Sequence, residues 1–353
     1  MKILYVQTNG IGNTILSTPS MKAIRTIFPK ATYELLIDPL GRQVVNNWGI
    51  FDRIYSMEPY VAIAEDYDII VIAQPSDDKR IGWVLNKAKK IVGARPIFLT
   101  GSYNIRHEVE VNMHFAVELG YNGPTPALYV DTVPENPSLD NYKDKIAFHM
   151  GISESPLKQR KSWPLEYWRR LIDKTKSISD IMVIGGTNER ESVQKICKER
   201  GIINTCGDFT IGELARVLKS CRLLVSIDSG PMHIAAAAGT PIVALFGPTR
   251  VSKNRPWINN DGKAIVITSN SFCAPCQFTY SFKSCKKDTC MRSISVEKVF
   301  DAISLIDKIP QGSSFRYGGL GLKDLGEPSK RALTILKDFW NNVRGKISIY
   351  LER

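Results

Sequence analysis

A run of small polar residues followed by alanines carries the clearest chemical signal in this chain. Asp228, Ser229 and Gly230 follow the apolar run 223–227, and His233 stands one turn further along an Ala-rich stretch. A helix that opens at Ser229 or Gly230 directs its free backbone N–H groups, and the positive end of its dipole, at the space above the preceding strand. The run therefore predicts a phosphate-binding site, and the nearby histidine is a candidate member of it.

Two further turns place polar residues where strands are expected to end. Lys161 ends a basic segment just before Trp163. Its positive charge could neutralise a diphosphate that departs as a leaving group. The alternative is a solvated basic loop with no ligand. Glu189 follows a Gly-Gly turn and could accept hydrogen bonds from ribose hydroxyls or stabilise the dipole of the next helix. Gly247 and Thr249 end the apolar run 242–246 and are expected to close a nucleotide pocket.

The loop after the first predicted strand is also rich in glycine. Gly10, Gly12 and Asn13 fit a tight turn from strand to helix that lets the backbone approach a ligand. The third glycine of a dinucleotide-binding fingerprint is missing, so the loop gives little support for NAD. A P-loop is excluded because no Lys-Ser or Lys-Thr pair follows.

The elements that must position these residues alternate between short β-branched runs and longer amphipathic stretches, which predicts βαβ units and parallel sheets. The pattern occurs twice, and the Pro-containing polar segment 131–141 is the predicted linker. We expect an α/β protein with two Rossmann-like, doubly wound domains facing a cleft, over residues 1–135 and 142–310. Residues 311–353 are predicted to form a Gly-rich loop and an amphipathic, basic C-terminal helix. Strands are predicted near residues 3–6, 33–37, 69–73, 90–92, 146–149, 181–184, 223–227, 242–246 and 264–267.

The composition limits the class of protein. The chain has 353 residues, of which 43% are hydrophobic, so it can bury the cores of two domains. Its formal net charge of +12 favours an anionic partner, such as a nucleic acid, a phosphorylated glycolipid or an acidic membrane surface. No stacking-aromatic motif or recognised module supports nucleic acid. No cleavable signal and no apolar run of about 20 residues is present, so we expect a cytoplasmic protein.

The signature at 228–249, the first glycine loop and the turn at 161–164 closely resemble glycosyltransferase family 9, which includes the ADP-heptose:lipopolysaccharide heptosyltransferases. The resemblance covers about residues 1–305. It implies a GT-B fold and inverting transfer of a sugar, heptose from ADP-heptose being favoured, to a lipopolysaccharide core or related surface glycan. It also implies an acceptor-binding first domain and a nucleotide-sugar-binding second domain. The donor-binding residues that it indicates are Gly12, Lys161, Glu189, Asp228, Ser229, Gly230, His233, Gly247 and Thr249.

Asn13 departs from the family pattern. Members of the family carry an acidic residue there, proposed as the base that deprotonates the acceptor hydroxyl, and an amide cannot take that proton at neutral pH. Asp38, Glu110 and His233 are substitute candidates for the base. A non-catalytic nucleotide-sugar-binding or assembly protein therefore stays open as an alternative. A GT-B-fold nucleotide-sugar epimerase, which would act without any acceptor, is a second alternative.

Four cysteines fall close together in the chain and could enclose a structural zinc or iron ion, or remain as free thiols. They are Cys273, Cys276, Cys285 and Cys290. Catalysis is expected to require no cofactor and no metal. Asp66 and Asp68 match the D-x-D pattern of metal-dependent glycosyltransferases, but they precede the strand at 69–73 and so are expected at the sheet end away from the ligand.

The acceptor has a weaker signal in the sequence. Residues 79–107 include seven Lys or Arg residues and no acidic residue, and Arg95 and Arg106 are the candidates to bind an anionic glycolipid or glycan. A solvated basic face is the alternative. The predicted basic helix at 327–346 either packs on the body of the protein or lies on the cytoplasmic face of the inner membrane as a peripheral contact.

Overall fold

The chain forms two compact units, Met1–Val133 and Pro134–Arg353. Their boundary lies inside the segment predicted as a linker. The computed structural model describes residues 1–57, 65–73, 81–93, 106–152, 159–259, 261–277, 282, 284–285, 288–318 and 321–324. Arg95 and the predicted helix at 327–346 lie outside the described residues.

The first unit is built on a five-stranded parallel sheet in the order β3-β2-β1-β4-β5. The strand order reverses between β1 and β4, which is the point where doubly wound sheets bind ligands. The strands are β1 (Lys2–Gln7), β2 (Thr32–Ile37), β3 (Arg53–Ser56), β4 (Tyr67–Ile72) and β5 (Ala88–Gly93). The helices are α1 (Ile11–Ile27), α2 (Pro39–Val45), α3 (Gly82–Leu85) and α4 (Glu108–Glu118).

The second unit is built on an eight-stranded sheet in the order β13-β12-β11-β10-β9-β6-β7-β8, with only β13 antiparallel to its neighbour. Its reversal of strand order lies between β6 and β9. The strands are β6 (Ile146–His149), β7 (Ile181–Ile184), β8 (Ile203–Asn204), β9 (Leu223–Ile227), β10 (Ile242–Phe246), β11 (Lys263–Thr268), β12 (Ser313–Gly318) and β13 (Gly321–Asp324). The helices are α5 (Leu165–Thr175), α6 (Arg190–Arg200), α7 (Ile211–Ser220), α8 (Gly230–Ala238), α9 (Val251–Asn254), α10 (Thr289–Arg292) and α11 (Val296–Leu305). Short 3₁₀ helices span Pro137–Tyr142, Thr187–Glu189 and Ile306–Lys308.

The central strands are buried along nearly their whole length, as expected for parallel sheets covered by helices on both faces. This burial explains why the Val- and Ile-rich runs of the sequence predict them well. The two Rossmann-like sheets of the predicted fold class are confirmed.

The prediction of a loop at the start of 311–353 is wrong for its described part. Residues 313–318 form β12, which pairs in parallel with β11 and buries Phe315 beside Ile265. Residues 321–324 return as β13. The glycines weaken the local strand signal, but the edge of β11 offers backbone partners and an apolar face, and this tertiary pairing overrides local propensity.

Candidate functional site

The candidate site lies at the carboxyl ends of β6 and β9, where the strand order of the second sheet reverses. His149 ends β6 beside Ser226 of β9, and Asp228 and Ser229 follow directly after β9. Ser229 is the N-cap residue of α8. Strand geometry therefore brings the polar signature and a helix N-terminus together at the place where this fold binds ligands.

The N-terminus of α8 keeps its backbone donors available. The N–H groups of Gly230 and Met232 have no intrahelical partner, because they belong to the first turn, and Pro231 has no N–H. The Ser229 side chain makes no capping hydrogen bond to them. The end of the helix thus presents uncapped donors and a positive dipole, which suits a phosphate.

Lys161 supplies a positive charge beside Asp228, which directly precedes the N-cap of α8. Its Nζ lies 3.1 Å from Oδ2 of Asp228, and the two side chains are 24% and 6% exposed. The carboxylate is buried, so the lysine compensates its charge in the free protein. A diphosphate that enters here can draw the ammonium group toward itself while Asp228 holds it in the pocket.

The turn that carries Lys161 is fixed from both sides. The Ser162 hydroxyl donates to the carbonyl of Gly151 at 2.7 Å, and the Trp163 indole donates to the carbonyl of Ile294 at 2.9 Å. Gly151 has φ +63°, and a side chain there would collide with Ile227 at the end of β9. The positive φ, together with this contact, favours glycine at position 151.

His149 contacts residues on both sides of the point where the strand order of the second sheet reverses. Its Nδ1 lies 2.9 Å from the Ser229 hydroxyl and 3.2 Å from the Ser226 hydroxyl, and its Nε2 lies 3.5 Å from Oε2 of Glu189. The ring is buried, with only 4% of the residue exposed. Sequence reasoning missed His149 as a functional residue; the available signal was a histidine at the carboxyl end of a buried strand that pairs with the signature strand.

Glu189 is held by its own turn as well as by the histidine. Its Oε2 accepts a hydrogen bond from the backbone N–H of Gly186 at 2.8 Å. The structure thus uses the carboxylate as a cap of its own 3₁₀ turn, just before α6. Its effect on the dipole of α6 stays a prediction. A role toward ribose stays a prediction, because one carboxylate can accept several hydrogen bonds.

His233 lies on α8 with 5% of its surface exposed, and its Nδ1 has no hydrogen-bond partner among the described residues. Burial lowers the pKa of His233 to about 4, with Lys161 adding to this effect and Asp228 opposing it. The ring is neutral at pH 7, so it brings no positive charge to the site and is a weak base. It can offer one hydrogen bond to a ligand.

Gly247 and Thr249 follow β10 in the same sheet. A Cβ at Gly247 would collide with Met291 and crowd Cys290, so packing alone requires this glycine. Thr249 is 2% exposed, and among the described residues its hydroxyl has no partner. Contact of either residue with a nucleotide stays a prediction.

Gly12 and Asn13 belong to the first unit, in the opening turn of α1 after β1. Gln7 shapes this loop: its Nε2 donates to the Ser17 hydroxyl at 2.6 Å, and its Oε1 accepts from the backbone of Asn9 at 3.0 Å. The loop lies at the carboxyl end of β1, next to the reversal of strand order in the first sheet. The structure thus places Asn13 at a ligand-binding edge of its own unit.

Asp38 and Glu110, the two acidic residues of the first unit that are candidates for the general base, already accept hydrogen bonds from the backbone. Asp38 caps α2 by accepting from the N–H groups of Leu40 and Gly41, and Glu110 accepts from the N–H of His107 in the capping box of α4. Each carboxylate thus already holds the start of its own helix. Arg106, a candidate acceptor ligand, is exposed just before α4.

The four neighbouring cysteines are free thiols. Cys273 is exposed, Cys276 and Cys290 are buried, and Cys285 is half-buried. Burial, followed by the charge of Cys276, raises the pKa of the Cys290 thiol to about 12. Among the described residues, no three Cys, His, Asp or Glu side chains are arranged to hold a metal ion. A structural metal at these cysteines stays a prediction.

Asp68 of the D-x-D pattern lies near the amino end of β4, whereas the glycine loop follows the carboxyl end of the neighbouring strand β1. Its carboxylate accepts from the backbone of Lys2, at the start of β1, and from the Lys89 ammonium, each at 2.8 Å. The placement predicted from the sequence is confirmed. No helix in the described part of the chain has the length and apolar character required to cross a membrane.

Comparison with known proteins gives consistent matches. The family model of glycosyltransferase family 9 (heptosyltransferase) matches residues 76–284. The chain is 31% identical over 321 residues to lipooligosaccharide heptosyltransferase 2 of Campylobacter jejuni, which covers 85% of this chain and 97% of that protein. It is 21% identical over 284 residues to lipopolysaccharide heptosyltransferase 1 of Escherichia coli K12, which covers 70% of this chain and 88% of that protein.

Solved structures agree on the fold. The family 9 glycosyl transferase of Veillonella parvula aligns with a TM-score of 0.68 at 21% identity, over 86% of this chain and 96% of that one. The ADP-heptose lipopolysaccharide heptosyltransferase II of E. coli aligns with a TM-score of 0.64 at 17% identity, over 87% of this chain and 98% of that one. The predicted GT-B class, with two Rossmann-like domains, is confirmed.

Proposed function

This chain belongs to glycosyltransferase family 9, and from that premise we propose that it transfers heptose from ADP-heptose, with inversion, to a hydroxyl of a lipopolysaccharide core. The predicted family resemblance is confirmed. The proposed sugar and acceptor are supported by the relatives, which are named as heptosyltransferases of lipooligosaccharide or lipopolysaccharide. The proposed donor is supported by an E. coli structural neighbour whose name includes ADP-heptose. An anionic glycolipid acceptor also suits the net charge of +12 and a peripheral contact with the inner membrane.

The observation that carries the proposal is the pairing of Lys161 with Asp228 beside the uncapped N-terminus of α8. In an inverting transfer the acceptor oxygen attacks the anomeric carbon from the face opposite the nucleotide. The bond from that carbon to the diphosphate oxygen breaks, and the diphosphate keeps the electron pair. Lys161 and the first-turn N–H groups stabilise the negative charge that develops there. The acceptor hydroxyl loses its proton to a base or to water.

We propose that this reaction needs no metal ion, because a lysine and a helix N-terminus already face the predicted leaving group. The experiment incubates the protein with ADP-heptose and a heptose-deficient lipopolysaccharide core, with and without EDTA, and measures ADP release and the anomeric configuration of the product. We expect inverted product at the same rate in both samples. Loss of activity in EDTA that Mn²⁺ or Mg²⁺ restores would contradict metal independence, and a donor converted without acceptor would indicate an epimerase.

A second candidate, a nucleotide-sugar-binding protein without transferase activity, is favoured by one observation: residue 13 is an amide. We expect the wild-type protein to be active, and Asn13→Asp to raise kcat by about 100-fold, the lower range for a positioned general base. Asn9→Asp adds the same charge to the same loop and serves as the control, with no rise expected. The measurement is kcat at saturating donor.

The outcomes separate the two functions. Activity that exists only in the Asn13→Asp variant would identify the natural protein as a binding protein. An unchanged kcat in an active Asn13→Asp enzyme would instead show that residue 13 lies away from the acceptor hydroxyl.

A further inference from the structure

Ser229, the N-cap residue of α8, does not use its side chain to cap the helix. A serine at an N-cap normally accepts a hydrogen bond from the N–H three residues ahead, here that of Met232. In this chain the Ser229 hydroxyl lies instead 2.9 Å from Nδ1 of His149 and 3.1 Å from the carbonyl of Ile227. The serine is therefore turned away from its own helix.

We propose that His149 is a positioning residue that keeps the Ser229 hydroxyl off the helix, so that the first-turn N–H groups of α8 remain available to a diphosphate. The inference deepens the proposed function, since it rests on a diphosphate binding at this helix end. The imidazole meets the requirements: it is buried at the end of β6, and with the ring proton on Nε2, its Nδ1 accepts from the serine.

The other ring nitrogen explains how His149 keeps its orientation. Nε2 faces Oε2 of Glu189 at 3.5 Å, and the same carboxylate oxygen is fixed by the N–H of Gly186 at 2.8 Å. A proton on Nε2 is held toward the carboxylate, which leaves Nδ1 free to accept. The strand ends of β6, β7 and β9 are thereby linked through one side chain.

Substitutions of His149 that place a polar atom at different positions separate this role from a general effect on folding. The side-chain amide of an asparagine reaches the position of Nδ1 and can still hold Ser229, whereas the amide of a glutamine reaches the position of Nε2 and cannot. Phenylalanine fills the same space and bonds to neither. We therefore expect pyrophosphate affinity to be retained in His149→Asn and to fall by about tenfold in His149→Gln and His149→Phe, the size of one capping interaction.

The experiment measures pyrophosphate binding to the full chain by calorimetry, with the melting temperature of each variant as the folding control. A second substitution gives the sharper test. In His149→Phe the serine loses its contact with the ring and keeps only the carbonyl of Ile227 and the Ser226 hydroxyl, so we expect it to turn in part toward Met232 and compete with the ligand. Adding Ser229→Ala removes the competitor. We expect the double variant to bind pyrophosphate more tightly than His149→Phe alone, which a merely structural role of His149 would not produce.

Two results would overturn the inference: wild-type affinity in folded His149→Gln and His149→Phe, or no recovery in the double variant. A wild-type protein that does not bind pyrophosphate would overturn it as well. A wild-type protein that binds pyrophosphate in the expected pattern but prefers GDP or UDP to ADP would refute the donor of the proposed function and support the role of His149.

Discussion

Lys161→Ala is expected to lower kcat/KM for sugar transfer by about 100- to 1,000-fold, the range for removing one preorganised group that stabilises developing charge. The physical reason has two parts. The diphosphate loses its ammonium partner in the transition state, and the 6% exposed carboxylate of Asp228 keeps an uncompensated negative charge that repels the donor. The measurement is the initial rate of ADP release at donor concentrations well below KM.

Two controls sharpen this prediction. Lys145→Ala breaks an ion pair of similar length, 3.0 Å to Asp180, whose carboxylate is 83% exposed, and we expect kcat/KM to stay close to wild type. Lys161→Arg keeps the charge and should retain part of the activity. If Lys161→Ala turned over donor as fast as Lys145→Ala, the assignment of the leaving-group site to this turn would be wrong.

Trp163→Ala is expected to lower the free energy of unfolding of the second unit by about 3–5 kcal/mol, as for other buried aromatic residues truncated to alanine. The indole is 2% exposed and packs edge-on against Tyr167 and Trp168, with ring centroids 5.5 and 5.0 Å away. Its removal leaves a cavity and deprives the carbonyl of Ile294 of its donor. Urea unfolding followed by far-ultraviolet circular dichroism measures the loss.

Trp257→Ala provides the matched control, because this indole is only partly buried in the same unit. We expect a smaller loss of stability there. Trp163→Phe keeps most of the packing and should cost about 1–3 kcal/mol through the unsatisfied carbonyl. Equal stabilities for Trp163→Ala and Trp257→Ala would contradict the view that Trp163 anchors the turn that carries Lys161.

The strands that carry the site were predictable because each is a short, continuous apolar run bounded by glycine or polar residues. β6, β7, β9 and β10 lie where the sequence predicts them. The Asp228-Ser229-Gly230 turn was predictable for the same reason, since a polar turn between a buried strand and an Ala-rich helix has few conformations.

The strands β3, β8, β12 and β13 were not predicted, because they lie toward the edges of their sheets and are specified by pairing with a neighbour. His149 was missed for a different reason. Nothing in its own neighbourhood in sequence identifies it; its partners Ser229 and Glu189 are distant along the chain, and only the strand order makes them neighbours. The role of a polar residue at a strand end depends on which strand ends lie beside it.

The most direct test of the account is calorimetric binding of ADP, GDP and UDP, each with and without its sugar, to the wild-type protein and to Lys161→Ala. We expect selective binding of the ADP series in the micromolar range of typical enzyme ligands, weakened strongly by the substitution. Equal affinity for all three nucleotides, or binding that Lys161→Ala leaves unchanged, would contradict the assignment of an ADP-sugar donor site to the carboxyl ends of β6 and β9.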